Sequence, residues 1–334
     1  MSIFRPWSER PWPMGDIHWY VVLGAFVLDY ILGDPGFLPH PVVYMGKAID
    51  FFESQFRKWF KNLLVSGFFF AVFLIFSTWA LAFCAIALSM KVHPGFGDLV
   101  QGVLLFFCFS SRSLEKAALK VFRALEAHDM EAARRAVSMI VGRQTQTLDE
   151  KGVTRAAVET VAENFVDGFL SPLFFALLGG VPLTLAYKMV NTLDSMVGYR
   201  NEAYLLFGRA SARIDDAANF IPARISVLMI SLGALLLSLK TGAQALKIGF
   251  SQGSRHKSPN SGYPEAAFSG ALNVRLGGPN MYHGVLVEKP FIGSRFPDPA
   301  KEKIGQACRL MMAASWTALL ISCFILFIFQ DNLL

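Results

Sequence analysis

The chain has 334 residues, 54% of them hydrophobic and 17% charged, with a formal net charge of +6 and a mean hydropathy of +0.43. A soluble globular domain carries about 45–50% apolar residues, so the composition argues against an ordinary soluble enzyme and for a polytopic protein surrounded by membrane lipid. The four cysteines, Cys84, Cys108, Cys308 and Cys323, form no CxxC pair, which speaks against a zinc site or a disulfide framework, and no nucleic-acid partner is expected.

Residues 1–16 are polar and contain proline, unlike a cleavable signal, which begins with a short basic region and an apolar core. Ile17–Gly33 reads as a first membrane helix. Asp29 is its only formal charge, and Trp7, Trp12, Trp19 and Tyr20 lie before or at its start, as in an interfacial aromatic belt. Asp34 and His40 follow in GDPGFLPHP. Asn62–Met90, 29 residues without a charge, and Leu310–Gln330, 21 residues, are long enough to span the hydrocarbon core, which takes about 20 apolar residues. KVHPGFGD (91–98) reads as a hinge before a 13-residue run, Leu99–Ser111, which is short for a span unless its polar flank continues the helix. From Leu114 to Gly142, apolar residues recur at three and four, predicting a helical hairpin with a break at His128 and a restart at Asp129. A further helix covers 149–167, with Asp149 as its cap. Residues 112–167, with nine basic and nine acidic side chains, thus form an extramembrane helical insertion.

Phe169–Tyr187 is apolar but contains GGVP at 179–182, which breaks a helix readily. A re-entrant hairpin therefore competes with a full span. Pro222 suits the first turn of a helix over Ala223–Leu239. Residues 240–309 are a long polar loop region carrying ten basic and four acidic side chains. This excess reads either as positive-inside bias with attraction to anionic lipid or as a basic wall for an anionic substrate. Within it, 251–299 is rich in Gly, Pro, Ser and Asn and reads as an irregular loop; no strand-like alternation is sustained. The fold class is all-α: one polytopic membrane domain over 1–334 with about four to six membrane segments, some re-entrant.

Ionisable groups crowd Gly142–Arg224 beside apolar segments, where each costs roughly 2.5–3.5 kcal/mol at mid-membrane. Glu159, Glu163 and Asp167 fall at i, i+4 and i+8 on one helix face, with Asn164 beside them. Three such carboxylates repel unless a cation sits among them, and their oxygens suit Mg²⁺; the alternative is a solvated acidic face paired with Arg155 and Lys151. Asn191 and Asp194 stand at i, i+3, followed by Tyr199, Arg200 and Asn201. Arg209, Arg213 and Asp216 are spaced by four and three, with Asp215 adjacent. Arginines beside carboxylates can hold phosphate and metal together, or form an ion-pair network that only fixes helix packing. The stretch 258–280 offers Asn260, Arg275, Asn280 and the backbone N–H groups of Gly277 and Gly278 as a phosphate cradle. No GxxxxGK[ST] and no dinucleotide fingerprint occurs, so a nucleotide site would be unconventional.

Five blocks carry a family resemblance: LDYILGDPGFLPHPVVYMGKAI (28–49), GRQTQTLD (142–149), VETVAENFVDGFLSPLFF (158–175), VNTLDSMVGYRNEAYLLFGRASARIDDAANFIPAR (190–224) and SPNSGYPEAAFSGALNVRLGGPNMY (258–282). In this order, over most of the chain, they resemble the adenosylcobinamide-phosphate synthases, an integral membrane family of cobalamin biosynthesis. The resemblance implies a carbon–nitrogen ligase in the bacterial cytoplasmic membrane. That reaction joins a propionate carboxyl of adenosylcobyric acid, a corrinoid, to the amine of 1-aminopropan-2-ol phosphate or a close relative, and it uses ATP and Mg²⁺. Its chemistry assigns Glu163, Asp167 and Asp194 to Mg²⁺ binding or amine activation, and Asp215 and Asp216 to the metal site or to orienting arginines. Arg200, Arg209 and Arg213 would hold phosphates, with Arg143 and Arg275 as further anion sites. Asn164, Asn191, Tyr199, Asn201, Asn260, Gly277, Gly278, Asn280, Asp34 and His40 would line the substrates. Other enzymes of the same pathway are further candidate partners. Two alternatives stay open: a Mg²⁺-dependent membrane prenyltransferase, which Asn191-x-x-Asp194 and Asp215-Asp216-x-x-Asn219 faintly resemble, and a non-catalytic membrane sensor or accessory protein related to the synthases.

Overall fold

The computed structural model describes residues 17–35, 39–199, 201–282 and 285–331. In chain order its helices are α1 (Trp19–Leu32), α2 (Pro41–Trp59), α3 (Leu63–Val92), α4 (Pro94–Phe106), α5 (Ser111–Glu126), α6 (Met130–Ser138), α7 (Glu150–Phe165), α8 (Ser171–Val197), α9 (Arg209–Ala218), α10 (Phe220–Leu235), α11 (Leu239–Gln252), α12 (Gly262–Leu272) and α13 (Glu302–Asp331). A π turn, Val166–Leu170, follows α7. Four short strands make two antiparallel ladders: β1 (Leu276–Gly277) with β4 (Phe291–Ile292), and β2 (Asn280–Tyr282) with β3 (Val285–Val287).

Four helical stretches, Leu63–Val92, Pro94–Glu126, Glu150–Val197 and Glu302–Gln330, are long and apolar enough to cross a membrane, and a fifth counts if α9 and α10 are taken together. The chain is thus an all-α, multi-pass membrane protein. Only 28% of the most apolar window of α3 is buried, and Phe68, Phe69, Phe73, Phe76, Leu81 and Leu88 point outward. Such a helix needs lipid around it. α1, by contrast, has 14 residues, or about 21 Å at 1.5 Å per residue. It is too short to cross alone the core of about 30 Å, which corrects the first predicted span.

The chain divides into two compact units. The first takes in Met1–Phe109, Ser171–Ala218 and Leu319–Leu334. Here aromatic contacts build the core: Phe56 on Phe70 at 5.7 Å and Phe70 on Phe207 at 5.0 Å. The α3 backbone comes close to the turn before α9, and a Cβ at Gly67 would collide with the Phe207 carbonyl oxygen. The expected hinge over 91–98 shrinks to His93. It ends α3 and caps α4, its Nδ1 accepting the Gly95 N–H at 3.1 Å.

α8 turns back on itself within this unit. Gly179 (φ −152°, ψ 25°) and Gly180 (φ 67°, ψ −166°) leave the helical region. Residues twelve apart then meet: the Phe175 and Tyr187 rings stack at 4.9 Å, and the Thr184 hydroxyl donates to the Pro172 carbonyl at 3.4 Å. Twelve residues of straight helix would separate them by about 18 Å. GGVP is therefore the tip of a helical hairpin, with Pro182 near the start of its second arm.

The second unit holds Ser110–Leu170 and Asn219–Ala318. The hairpin of α5 and α6 breaks at His128, which adopts φ 56°. The Asp129 side chain then accepts the Ala132 N–H at 2.9 Å, and Asp149 accepts the Gly152 N–H at 2.7 Å to start α7. These are N-caps in the positions the sequence predicts. The region 240–309 departs from its expected loop character. It begins with α11 and contains α12 packed against it, then the two ladders, and it ends in the first turns of α13. Every residue of α12 except Tyr263 is buried.

Candidate functional site

α7, α12 and the segment after α11 supply the side chains of a cleft of about 100 Å³ in the second unit. It is lined by Arg143, Glu159, Thr160, Glu163, His256, Glu265, Gly277 and Lys289, with the backbone around Ile140–Gly142. Glu159 and Glu163 share a face of α7, one turn apart. Regular spacing ends at the π turn beginning at Val166, so the expected third member, Asp167, lies outside the cluster that Glu163 joins. π turns recur at functional sites.

Glu159 is fixed from two sides. Arg143 Nη2 donates to its Oε2 at 2.6 Å, and the Gly277 N–H donates to its Oε1 at 2.7 Å. Both side chains of this ion pair are less than a tenth exposed. Gly277 (φ 75°) and Gly278 (φ 87°) adopt left-handed conformations that favour glycine. A Cβ at Gly277 would press on the Pro290 carbonyl.

Glu163, His256 and Glu265 form the second group, each offering an atom within 4.8 Å of the others. Glu265 is 3% exposed, and its Oε2 has no hydrogen-bond donor among the described residues. Burial, then the charges of Glu163 and Glu159, push its carboxyl well above the ordinary range. Two facing carboxylates have no donor between them unless one is protonated. His256 Nδ1 accepts the Ser258 N–H at 3.0 Å, while Nε2 faces Glu265 Oε1 at 3.8 Å. Burial, then the Lys289 charge, holds this imidazole toward its neutral form against the pull of Glu163 and Glu159.

Other predicted positions fall elsewhere. Arg275 binds Asp298 through two nitrogens at 2.9–3.1 Å and stacks on Phe291 at 4.5 Å, an arrangement that fastens the loop. Asn260 accepts from Arg224 at 3.3 Å, whose guanidinium lies between the Phe220 and Tyr263 rings. The Asn164 amide donates to the Thr160 carbonyl of its own helix at 3.0 Å. Asn280 is placed by its backbone in β2.

In the first unit, Asn191 and Asp194 lie near the end of α8, and Asp215 and Asp216 on α9. The Asp194 carboxylate sits against Gly198 and feels the like charge of Asp216. Asp216 is 3.8 Å from Arg213, which is exposed, as is Arg209. Tyr199 is exposed, the Asn201 side chain accepts the Tyr204 N–H, and Arg200 lies outside the described residues. His40 Nδ1 caps α2 by accepting the Val42 N–H, and its Nε2 lies 3.4 Å from Asp34.

His256 and Glu265 escape the sequence reading, although one signal was present. Glu265 is the sole charged residue between Ser258 and Val274, in a run of small and apolar residues. A lone acid in an otherwise uncharged run is a buried carboxyl in need of a role. His256 carries no comparable signal.

A family profile described as CobD/Cbib protein matches residues 22–311. A cobalamin biosynthesis protein CobD of Klebsiella pneumoniae is 46% identical over 298 residues, 88% of this chain and 93% of the relative. A cobalamin biosynthesis protein CbiB of Salmonella typhimurium is 45% identical over the same shares. One named CobD from Clostridium perfringens is 46% identical over 285 residues, 85% and 88% of the two chains. No solved structure matches.

Proposed function

Because the chain belongs to the CobD/CbiB family, with a role in cobalamin biosynthesis, we propose that it catalyses ATP-dependent amide ligation in the bacterial cytoplasmic membrane. The carboxyl of adenosylcobyric acid is joined to 1-aminopropan-2-ol phosphate, giving adenosylcobinamide phosphate. The observation that carries this reading is the cleft, where three carboxyl side chains, an imidazole and two cationic side chains meet in a small space.

A carboxylate is a poor electrophile, so ATP first converts it to an acyl phosphate. The amine then attacks in its neutral form, which calls for a nearby base. Glu265 is suited to that task, since burial raises its affinity for a proton. Phosphate charge must also be neutralised. Asp194 and Asp216 offer hard oxygens and repel each other, a donor set that fits Mg²⁺, which is commonly held by one or two carboxylates together with substrate phosphates. These two residues would hold the ion, which supplies electrostatic stabilisation of the phosphates. Arg209 and Arg213, exposed on α9, would meet phosphate oxygens directly.

The test is purified protein in detergent with adenosylcobyric acid, aminopropanol phosphate, ATP and Mg²⁺, the product being followed by mass. ATP-dependent amide formation is expected; its absence in folded protein across several detergents contradicts the reading. Asp194→Asn is expected to abolish turnover while leaving the unfolding temperature unchanged, and full activity would remove Asp194 from the mechanism.

A further inference from the structure

We propose that Glu163 and Glu265 form the amine subsite, binding the ammonium group of a small amino alcohol and taking the proton it gives up, with His256 positioning the pair. The inference rests on the ligase reading above. Glu265 is buried on α12 and lines the cleft, and one of its oxygens, itself enclosed, has no donor among the described residues. Glu163 and His256 stand within 4.8 Å of it.

Three such groups could also ligate a metal, but the imidazole argues against it. Its Nδ1 accepts the Ser258 N–H, so in the neutral ring the proton resides on Nε2. Nε2 is the nitrogen that faces Glu265, and a metal there would need a lone pair. The imidazole instead turns its N–H toward the carboxyl pair, Nε2 lying 3.8 Å from Glu265 Oε1. An ammonium group brings three N–H donors, which suits the acceptors the two carboxyls retain.

The other charged groups of the cleft agree. Arg143 is matched by Glu159, and Lys289 adds a positive charge of the sign that attracts a phosphate. A cleft of about 100 Å³ suits a three-carbon amino alcohol and is far too small for a corrin ring. In the step itself, the amine nitrogen bonds the acyl carbon and the carbon–oxygen bond to phosphate breaks. Of the three ammonium protons, one passes to the carboxyl pair before attack, one leaves with the phosphate as HPO₄²⁻, and one remains on the amide nitrogen.

Calorimetric titration of the full chain in detergent, with 1-aminopropan-2-ol phosphate and with isopropyl phosphate, which lacks the amine, tests this. Wild type is expected to prefer the amine by at least tenfold. Glu265→Gln and Glu163→Gln are each expected to lose that preference while binding Mg-ATP as before. If Glu265→Gln does not fold, Glu163→Gln, whose side chain is half-buried, decides alone. Equal binding of the two phosphates by wild type overturns the inference, and so does a preference that survives in the folded variants. Stoichiometric Mn²⁺ binding without nucleotide, lost in both variants, also overturns it, because the cluster is then a metal site. An amine preference without amide product from adenosylcobyric acid supports the subsite and removes the ligase reading; product without the preference does the reverse.

Discussion

Glu159 shows how a residue read as a ligand can become a strut. Its two oxygens are taken by Arg143 and by the Gly277 N–H, so it ties the Gly142 segment and β1 to α7. Removing one partner of a buried pair leaves the other charge uncompensated, at a cost of about 3–5 kcal/mol. Arg143→Met is therefore expected to lower the thermal unfolding midpoint in detergent markedly, whereas Arg135→Met, in an exposed pair with Glu131, should barely move it. Equal small shifts would show that the Glu159 pair is solvated. Spacing on α7 was legible in the sequence as far as Glu163. What was not legible is which chain segment comes to meet that face, because Glu265 lies about a hundred residues further on and only the fold brings the two together. The same limit applies to Arg275, whose partner Asp298 is remote in sequence.

Helices with an outward polar face, or with a cap, could be read directly. The break at His128, the caps at Asp129 and Asp149, and the tip at GGVP all rest on local chemistry that short sequences display. α12 was missed for a physical reason. A helix buried all round has no polar stripe and hence no 3.6-residue period, and its Gly, Ser and Pro content looks like loop. Those small residues let backbones approach: a Cβ at Gly270 would lie 2.6 Å from the Gln244 carbonyl oxygen of α11. The hairpin tip gives a sharper expectation. Gly180, at φ 67° and ψ −166°, occupies a region essentially reserved for glycine, where another residue costs about 1–3 kcal/mol. Gly180→Ala should lower stability by that amount in chemical denaturation of detergent-solubilised protein. No change would mean that the tip relaxes and the arms are not locked.

On the scale of the whole molecule, composition and long uncharged runs were enough to identify a multi-pass membrane protein, and the outward phenylalanines of α3 agree. Phe76 is 63% exposed near the middle of that helix. Arginine there is expected to cost roughly 2.5–3.5 kcal/mol of insertion free energy, seen as a drop in the membrane-inserted fraction. Unchanged insertion would place this face against protein or water. The family match spans both units, so the proposed chemistry belongs to the full chain. Its central claim is that ATP activates a carboxyl group for attack by an amine. Adenosylcobyric acid labelled with ¹⁸O in its free carboxylate tests this directly during turnover with ATP and aminopropanol phosphate. One ¹⁸O per amide formed should appear in inorganic phosphate; amide product without label in phosphate, or no amide product from folded protein, would contradict the account.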